Sequence, residues 1–426
     1  MATNTPLRVI VAGGGIGGLA LANGLRRAGV AVSVHEREVR RTDRLQGFRI
    51  HINPHGSAAL SELLSPTVFD AFVAASGKGG NGFGFLTEQF DRLVDFAATT
   101  VGDTSADHYG ISRITLRALL LAELADIVHY GSTFDRYEHR PDGRVVAHFA
   151  DGTTEVGDVL VGADGASSRV RNQYLPHAER VDTGIVTIAG KYALTDHSRT
   201  RLDPLLLRHP WSVIPPSGCT LFIAPHEFST PADGTPDGLP PGLLFDDSQS
   251  YVFWAFAARR TRFDTDLAEL TPAQLHATAT RTTTGWSPRL RRLVAESDPT
   301  STTLIPIKTS VPIPRWTTTN VTLLGDAVHS MTPFAGIGAN TALRDAQLLS
   351  RMLIAADHRE HGLLDAIGTY ETAMTDYGFA AVRTSLATAE RSVADGKLGR
   401  TIGKLALRTA GAVPAVKRRM FADLGA

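Results

Sequence analysis

A chain of 426 residues exceeds the size at which one hydrophobic core stops growing, so two packed domains are expected. Its 43 basic and 43 acidic residues cancel, which leaves no electrostatic footprint for nucleic acid and makes a neutral, apolar or aromatic small molecule the simplest partner. The single cysteine, Cys219, excludes a disulfide framework and a thiolate cluster, so no metal is expected and the cytoplasm fits best.

The first apolar run, 7–12, is too short for a signal-peptide core or a membrane span. Strand, glycine turn, helix and strand then follow as RVIVA at 8–12, GGGIGG at 13–18, a helical stretch to Arg27 and VAVSVHE at 30–36, a βαβ unit. The segment 40–56 and the alternating glycines and phenylalanines at 79–85 carry no clear period. A helix is expected at 116–125, then short strands around Asp-Gly turns at 142 and 151, leading to VLVGADG at 159–165 as a return to the first sheet. From 182 to 308 the runs VTIAGKYAL, WSVIP, TLFIAP and YVFWAFAAR alternate with turns as antiparallel strands do, and the Pro, Gly and Asp-rich stretch 225–250 reads as an exposed loop. VTLLGDAVH at 321–329 restores the buried-strand pattern, and helices fill the rest. The last segment, 396–420, spaces Lys and Arg among apolar residues. Such a helix is able to lie on a membrane, but Pro414 interrupts it and packing on the domain is the favoured reading.

The expected fold is therefore α/β, with a Rossmann-like dinucleotide domain interrupted by a second, antiparallel-sheet domain. The first covers 1–181 and 309–380, with 80–110 available to the other sheet; the inserted domain covers 182–308; carboxy-terminal helices cover 381–426.

Gly13, Gly15 and Gly18 form G-x-G-x-x-G between a strand and a helix, with Gly14, Ile16 and Gly17 completing the loop. The first glycine permits the turn, the second lets backbone approach a pyrophosphate, and the third lets helix and strand pack closely. Glu36, followed by Arg37, ends the next strand, where a carboxylate accepts ribose hydroxyls and repels a 2′-phosphate. The dinucleotide is thus FAD or NAD. Asp164 and Gly165 end a second buried strand, with Ser168 and Arg171 in the first turn of the next element. A third strand ends in Gly325 and Asp326, followed by Pro333 and by Gly336, Gly338 and Asn340 opening a helix. Asp326 is placed to hold a ribityl or ribose hydroxyl, and the turn at 336–340 to lay amides along a flavin pyrimidine edge.

These three motifs, in this order, resemble those of the group A flavoprotein monooxygenases, the para-hydroxybenzoate hydroxylase-like family, with natural-product-tailoring and tetracycline-inactivating members most similar in length and motif detail. ISRITLRALL at 111–120 also resembles the family's Arg-bearing helix start. The resemblance implies that Arg113 contacts FAD, that Glu36 binds its adenosine ribose, that Asp326 binds its ribityl or pyrophosphate part, and that the Asp-Gly segment serves both FAD and NAD(P)H. It further implies that NADPH or NADH reduces the flavin, and that molecular oxygen activated at flavin C4a hydroxylates or epoxidises an aromatic, indole-like or alkene-bearing substrate.

GFRIHINPHG at 47–56 sits where relatives carry a strand beside the flavin, and alternation puts Arg49 and His51 on one face of it. They are candidates for the reaction cavity, although His51 stands where similar enzymes often have a carboxylate. Trp211, Phe222, Phe253, Trp254, Phe256 and Pro333 are candidates for lining the substrate cavity; aromatic residues on strands are equally suited to a core. His329 is read as bracing local backbone. A flavin-dependent halogenase is disfavoured because PWSVIPP at 210–216 carries only Trp211 at the wrong spacing. A flavin-linked reductase or desaturase, and a non-catalytic flavin-binding protein, stay open. The chain is compatible with a monomer or a homodimer.

Overall fold

The structure, a computed structural model, describes residues 6–39, 49–76, 82–97, 107–227 and 250–413. Almost all of the loop expected at 225–250, residues 40–48 of the segment 40–56 and the terminal stretch with Pro414 lie outside the described residues.

The runs of Val, Ile and Leu that carry no alternation become a five-stranded parallel sheet, as expected of strands covered on both faces. Its order is Val321–Leu323, Val159–Gly162, Arg8–Ala12, Ala31–Glu36 and Val128–Tyr130. Helix Ile16–Arg27 packs beneath Gly338–Asp357, and Gly24 makes the approach possible, because a Cβ there would meet Ser350 Oγ at 2.5 Å. Beside this sheet, Phe134–His139, Val145–Phe149 and Thr154–Gly157 form a small antiparallel sheet. Its hairpins turn at Gly143 and Gly152, whose φ of 83° and 87° suits the glycine of an Asp-Gly turn.

The second large sheet has seven strands, in the order Thr303–Ser310, Arg180–Ala193, Tyr251–Arg259, Cys219–His226, Trp211–Ile214, Gly82–Thr87 and Arg92–Ala97. Two details depart from expectation. The pairing of Trp211–Ile214 with Gly82–Thr87 is parallel, so the sheet is mixed, and the limits 182 and 308 fall inside strands. Both follow from pairing that joins segments far apart in sequence. Residues 109–112 do not join this sheet: Tyr109–Ser112 pairs antiparallel with Arg49–Ile52 as a separate ribbon.

The helix expected at 116–125 runs Arg113–Leu120 instead. Ser112 starts it early by accepting the Ile114 amide at its side chain (3.2 Å). At the carboxy-terminal end, Leu363–Ser392 is one helix of 30 residues that passes straight through the limit placed at 380. Lys397–Ala412 follows. It is pinned by Arg400, whose guanidinium donates to the carbonyls of Ala394, Pro215 and Cys219, while Leu398, Ile402 and Leu405 remain exposed. Among the described residues no helix is long and apolar enough to cross a membrane.

Candidate active site

Register brings the three motifs together. Ala12 lies beside Gly162, and Gly162 beside Leu323, so all three strands end at one edge of the parallel sheet. Beyond it the Ala163 amide donates to the Ala12 carbonyl (2.8 Å) and the Leu324 amide to that of Gly162 (3.0 Å). The chain leaves Arg8–Ala12 toward one side of the sheet and returns on the other at Val159–Gly162, which makes this edge the switch point where α/β sheets bind ligands.

The glycines of the first motif divide into two kinds. A Cβ on Gly13, which has φ +117°, would overlap the Ala163 carbonyl, and one on Gly18 would overlap the Gly13 carbonyl. Gly17 faces the Leu324 side chain in the same way. By contrast, a Cβ on Gly15 would meet nothing within 4 Å. Gly15 also caps helix Ile16–Arg27 without any side-chain hydrogen bond, leaving the first-turn amides directed at open space.

Glu36 sits beside this opening, accepting the Gly14 amide at Oε2 (2.8 Å) and the Glu38 amide at Oε1 (3.0 Å). Arg117, which sequence reasoning did not single out, donates from Nε to the Gly14 carbonyl (2.9 Å) and lies 3.7 Å from Glu36 and 3.3 Å from Glu38. Its signal was its spacing, one helical turn after Arg113 on the same face. Arg113 and Arg37 are exposed.

In the Asp-Gly segment, Asp164 accepts the Arg169 amide at Oδ2 (2.7 Å), while its Oδ1 is buried without a hydrogen-bond partner. Gly165 has φ +79° and open space where a Cβ would stand. Arg171, capped at its amide by Ser168, donates to the Ala166 and Ala327 carbonyls, both at 3.1 Å, and so ties this segment to the Gly-Asp segment. There, Gly325 (φ +65°) precedes the exposed carboxylate of Asp326 at the start of Asp326–His329.

The Gly-Asp turn is held from beneath by Asp345, a second residue the sequence reading missed. Fully buried, it accepts the Gly325 amide (2.8 Å), contacts His329 Nε2 (2.7 Å) and accepts the Tyr377 hydroxyl (2.6 Å). Its signal was a carboxylate between Leu343 and Ala346, on the buried face of an amphipathic helix. Burial, the largest influence on His329, opposes its charged form, yet the charge and hydrogen bond of Asp345, with help from Asp326, leave its pKa raised.

Pro333 opens the short turn Pro333–Ala335, exposed, and Gly336 follows in the left-handed region at φ +68° with open space around it. Helix Gly338–Asp357 then begins with no side-chain cap. The Asn340 side chain is occupied: it donates to the His51 carbonyl (2.9 Å) and accepts the Asn53 amide (2.9 Å). It therefore clamps strand Arg49–Ile52 against the glycine turn.

On that strand Arg49 and His51 do share one face, with Gly110 and Ser112 opposite them on the partner strand. His51 Nε2 meets His108 Nδ1 at 2.9 Å, the two rings parallel and edge to edge with centroids 5.1 Å apart. Burial first, then His108 and Arg49, push the His51 pKa down to about 3, so the ring is neutral at ordinary pH. Burial lowers Arg49 to about 10, opposed by Tyr251, and burial followed by Arg49 and Lys191 lowers His226 to about 4. Arg49, His51, His226, Lys191 and Tyr251 thus share one electrostatic neighbourhood.

Alternation sorts the aromatic candidates. Trp211, Trp254 and Phe256 are fully buried and point to the helix-covered side of the mixed sheet. Trp211 Nε1 donates to the Leu205 carbonyl (2.9 Å) and Trp254 Nε1 to Ser297 (2.7 Å), while Phe256 packs near Trp286. These three are core, not cavity wall, because successive strand residues face opposite ways and the sequence did not say which face helices would cover. Phe222 and Phe253 stand on the other face, ring centroids 6.4 Å apart. Phe83, not singled out before, lies 6.5 Å from Phe222 on the same face. Phe334, next to Pro333, packs against the cluster of Ile185, Ala257, Ile307, Ala389 and Val393, the first three of which stand on that face, so the glycine turn, strand Arg49–Ile52 and the aromatic floor converge.

Away from this site, His35, His129 and Glu155 bring possible ligand atoms within 4.8 Å of one another. Both His35 nitrogens are engaged within the protein, by Ser132 (2.8 Å) and Glu155 (2.6 Å).

The arrangement fits FAD on the structure's own terms: amides at two uncapped helix starts, an unpartnered Asp164 oxygen, and glycines whose missing Cβ leaves open space. Comparison with known proteins agrees. An FAD binding domain family matches residues 250–385. A solved FAD containing monooxygenase of Photorhabdus luminescens is 34% identical, with 91% of this chain and 98% of that one covered at a TM-score of 0.81. The chain belongs to the FAD-containing monooxygenases. The aurachin C monooxygenase/isomerase of Stigmatella aurantiaca is 28% identical over 82% of this chain and 81% of that protein. A dual O-methyltransferase/FAD-dependent monooxygenase of Phaeosphaeria nodorum is 30% identical over 85% of this chain but only 42% of its own length. The chain thus spans less than half of that two-function relative. The group A resemblance read from the three motifs holds, as does the α/β fold with a Rossmann-like FAD-binding part and a sheet-rich second part.

Proposed function

We propose that the protein is an NAD(P)H-using, FAD-dependent monooxygenase that inserts one oxygen atom into an aromatic, indole-like or alkene-bearing small molecule of natural-product type. The observation that carries this reading is the convergence of the FAD motifs, the Asn340-clamped strand and the aromatic sheet face on one place. The chemistry supplied by bound FAD is transfer of one oxygen atom from O2 to the substrate after reduction by NADH or NADPH.

Within this reading the division of labour follows the geometry. Gly13–Gly18 and the amides of Ile16–Arg27 hold the pyrophosphate, Glu36 the adenosine ribose, and Asp164, Gly165 and Asp326 the middle of the cofactor, with Arg113 and Arg37 available at the rim. Gly336 and Gly338 let amides approach the ring, where partial positive charge favours the electron-rich state. Asn340 acts through its side chain as a positioning residue. Phe222, Phe253 and Phe83 exclude water, which strengthens every polar interaction at the reacting atoms. His51, hydrogen-bonded to His108 and kept neutral by burial, offers the substrate an uncharged ring rather than a base.

Two experiments test the reading. Purified protein is expected to be yellow, to oxidise NADH or NADPH in the presence of a substrate drawn from aromatic, indole, terpenoid and polyketide compounds, and to yield a product heavier by one oxygen. Substrate-dependent NAD(P)H oxidation without oxygen in the product would instead support a reductase or desaturase. Asp326→Ala is expected to weaken FAD binding by about 2 kcal/mol, the scale of a lost charge-assisted hydrogen bond. Fluorescence titration of the apoprotein measures it, and unaltered affinity would remove Asp326 from the site.

A further inference from the structure

We propose that helix Lys397–Ala412 docks the protein on an anionic membrane surface, lying among the lipid headgroups with Leu398, Ile402 and Leu405 inserted below them. The helix packs on the domain, as expected from the sequence, but with its charged face inward. Arg400, Lys404, Leu407 and Gly411 recur at the spacing of one helix face and are buried or half-buried. A Cβ on Gly411 would come within 3.3 Å of the Leu93 carbonyl, so this face rests on the edge strand Arg92–Ala97. Its cations are answered from within the protein: Arg400 donates to backbone carbonyls, and Lys404 lies 3.1 Å from Glu88.

The opposite face is apolar and bare. Leu398, Ile402 and Leu405 are 75%, 59% and 64% exposed, and their spacing of four and three residues puts them in one stripe directed away from the domain. With Val413 they are four of the eight exposed large hydrophobic side chains among the described residues. They therefore form a patch, unlike the single apolar residues that any surface scatters.

Charge selects what covers the stripe. From 396 to 420 the sequence has seven basic residues and no acidic one. The chain as a whole is neutral, so the rest of it carries the compensating negative charge. With Arg400 and Lys404 turned inward, Lys397 and Arg408 stand three turns apart on one flank of the stripe, both exposed. Arg408 meets Asp91 only at 4.0 Å, and Lys417, Arg418 and Arg419 follow in the sequence. A second copy packed antiparallel on the stripe would set Lys397 of one chain beside Arg408 of the other, which is unfavourable. Four side chains are also far fewer than the roughly 20–30 residues per partner of a stable interface.

An anionic bilayer meets both requirements, because its acyl boundary takes the stripe and its headgroups take the cations. At 16 residues the helix is too short to span the bilayer core, so it lies on the surface. The acidic remainder of the molecule then faces away from the lipid, which fixes one orientation.

The test uses the full chain as purified, with vesicles of phosphatidylcholine alone and of phosphatidylcholine with an equal part of phosphatidylglycerol, read by co-sedimentation across a salt series. Binding to the anionic vesicles is expected to be at least about tenfold tighter and to weaken as salt rises. Combined Leu398→Ser, Ile402→Ser and Leu405→Ser should abolish it while flavin content and melting temperature hold, because the stripe lies outside the core. Combined Lys397→Glu and Arg408→Glu should erase the preference for anionic lipid. Should the serine variant fail to fold, Ile402→Glu alone must weaken binding at least about tenfold. Light scattering without lipid checks the other occupant: a dimer that the serine variant splits, together with no vesicle binding, would assign the stripe to a second copy and overturn the proposal. Equal binding to both kinds of vesicle, binding to neither, or binding that survives the stripe changes overturns it as well. None of these outcomes bears on the monooxygenase reading, since the helix shares no residue with the cofactor motifs.

Discussion

Gly13→Ala is expected to lose a large part of the protein's folding stability, whereas Gly15→Ala melts close to the wild-type apoprotein and yet binds FAD much more weakly. The two residues belong to one motif and differ in what surrounds them. At Gly13 the backbone has φ +117°, and a Cβ would overlap the Ala163 carbonyl. Strain of that kind costs about 1–3 kcal/mol, and overpacking against a backbone that is itself hydrogen-bonded to Ala12 adds about 1–3 kcal/mol more. That sum is a large part of a total stability of about 5–15 kcal/mol. At Gly15 the backbone lies at φ −82° with no atom within 4 Å of a Cβ, so the apoprotein loses at most about 1 kcal/mol through the poorer helix cap. The same methyl group fills the space through which a pyrophosphate reaches the helix amides, and FAD affinity should fall more than about tenfold. Thermal unfolding of the two apoproteins, with FAD titration of Gly15→Ala, measures both. Parallel destabilisation of the two variants, or full FAD affinity in Gly15→Ala, would show that the open space beside Gly15 is not the cofactor's.

The difference between those glycines was legible in the motif, a turn at the first and an open approach at the second. The three strand ends, the glycine loop and Glu36 were readable because each depends on local chemistry: a buried run, a turn that only glycine permits, a carboxylate at a fixed distance. What depends on partners far away in sequence was not. Which face of Tyr251–Arg259 would be covered by helices decided that Trp254 and Phe256 are core while Phe253 faces the site, and alternation alone is symmetric between those outcomes. The pairing of Gly82–Thr87 with Trp211–Ile214, which puts Phe83 on the aromatic floor, spans more than a hundred residues. The turn ending at Asn340 was expected to present backbone amides to the cofactor; that the Asn340 side chain also holds the strand of His51, a contact between residues 289 apart, was not foreseen. Arg117 and Asp345 carried weak local signals, a repeated arginine and a carboxylate on an apolar helix face, that gain meaning only once their acceptors are known.

Asp345→Ala should then be among the most damaging substitutions outside the cofactor motifs. Removing it leaves His329 buried, with Nδ1 already lacking a hydrogen-bond partner, and strips the Gly325 amide and the Tyr377 hydroxyl of their acceptor at once. Breaking a buried ion pair from one side costs about 3–5 kcal/mol. FAD binding should weaken as well, because the Gly325 amide fixes the turn that presents Asp326. Asp345→Asn separates charge from shape, since an amide oxygen still accepts one of these hydrogen bonds but holds no charge against the imidazolium. The sign of the pH dependence follows from the raised pKa of His329. A base whose pKa is higher folded than unfolded binds its proton more tightly in the native state, so the stabilisation is complete below the ordinary value of 6.5 and fades as pH climbs through the folded value. Wild-type protein should therefore lose stability on going from mildly acidic to alkaline buffer, and Asp345→Asn should lose that component of the slope. Urea unfolding of both proteins across the series measures it; slopes that coincide would mean that His329 is neutral in the folded protein and that Asp345 supports the Gly-Asp turn by hydrogen bonding alone.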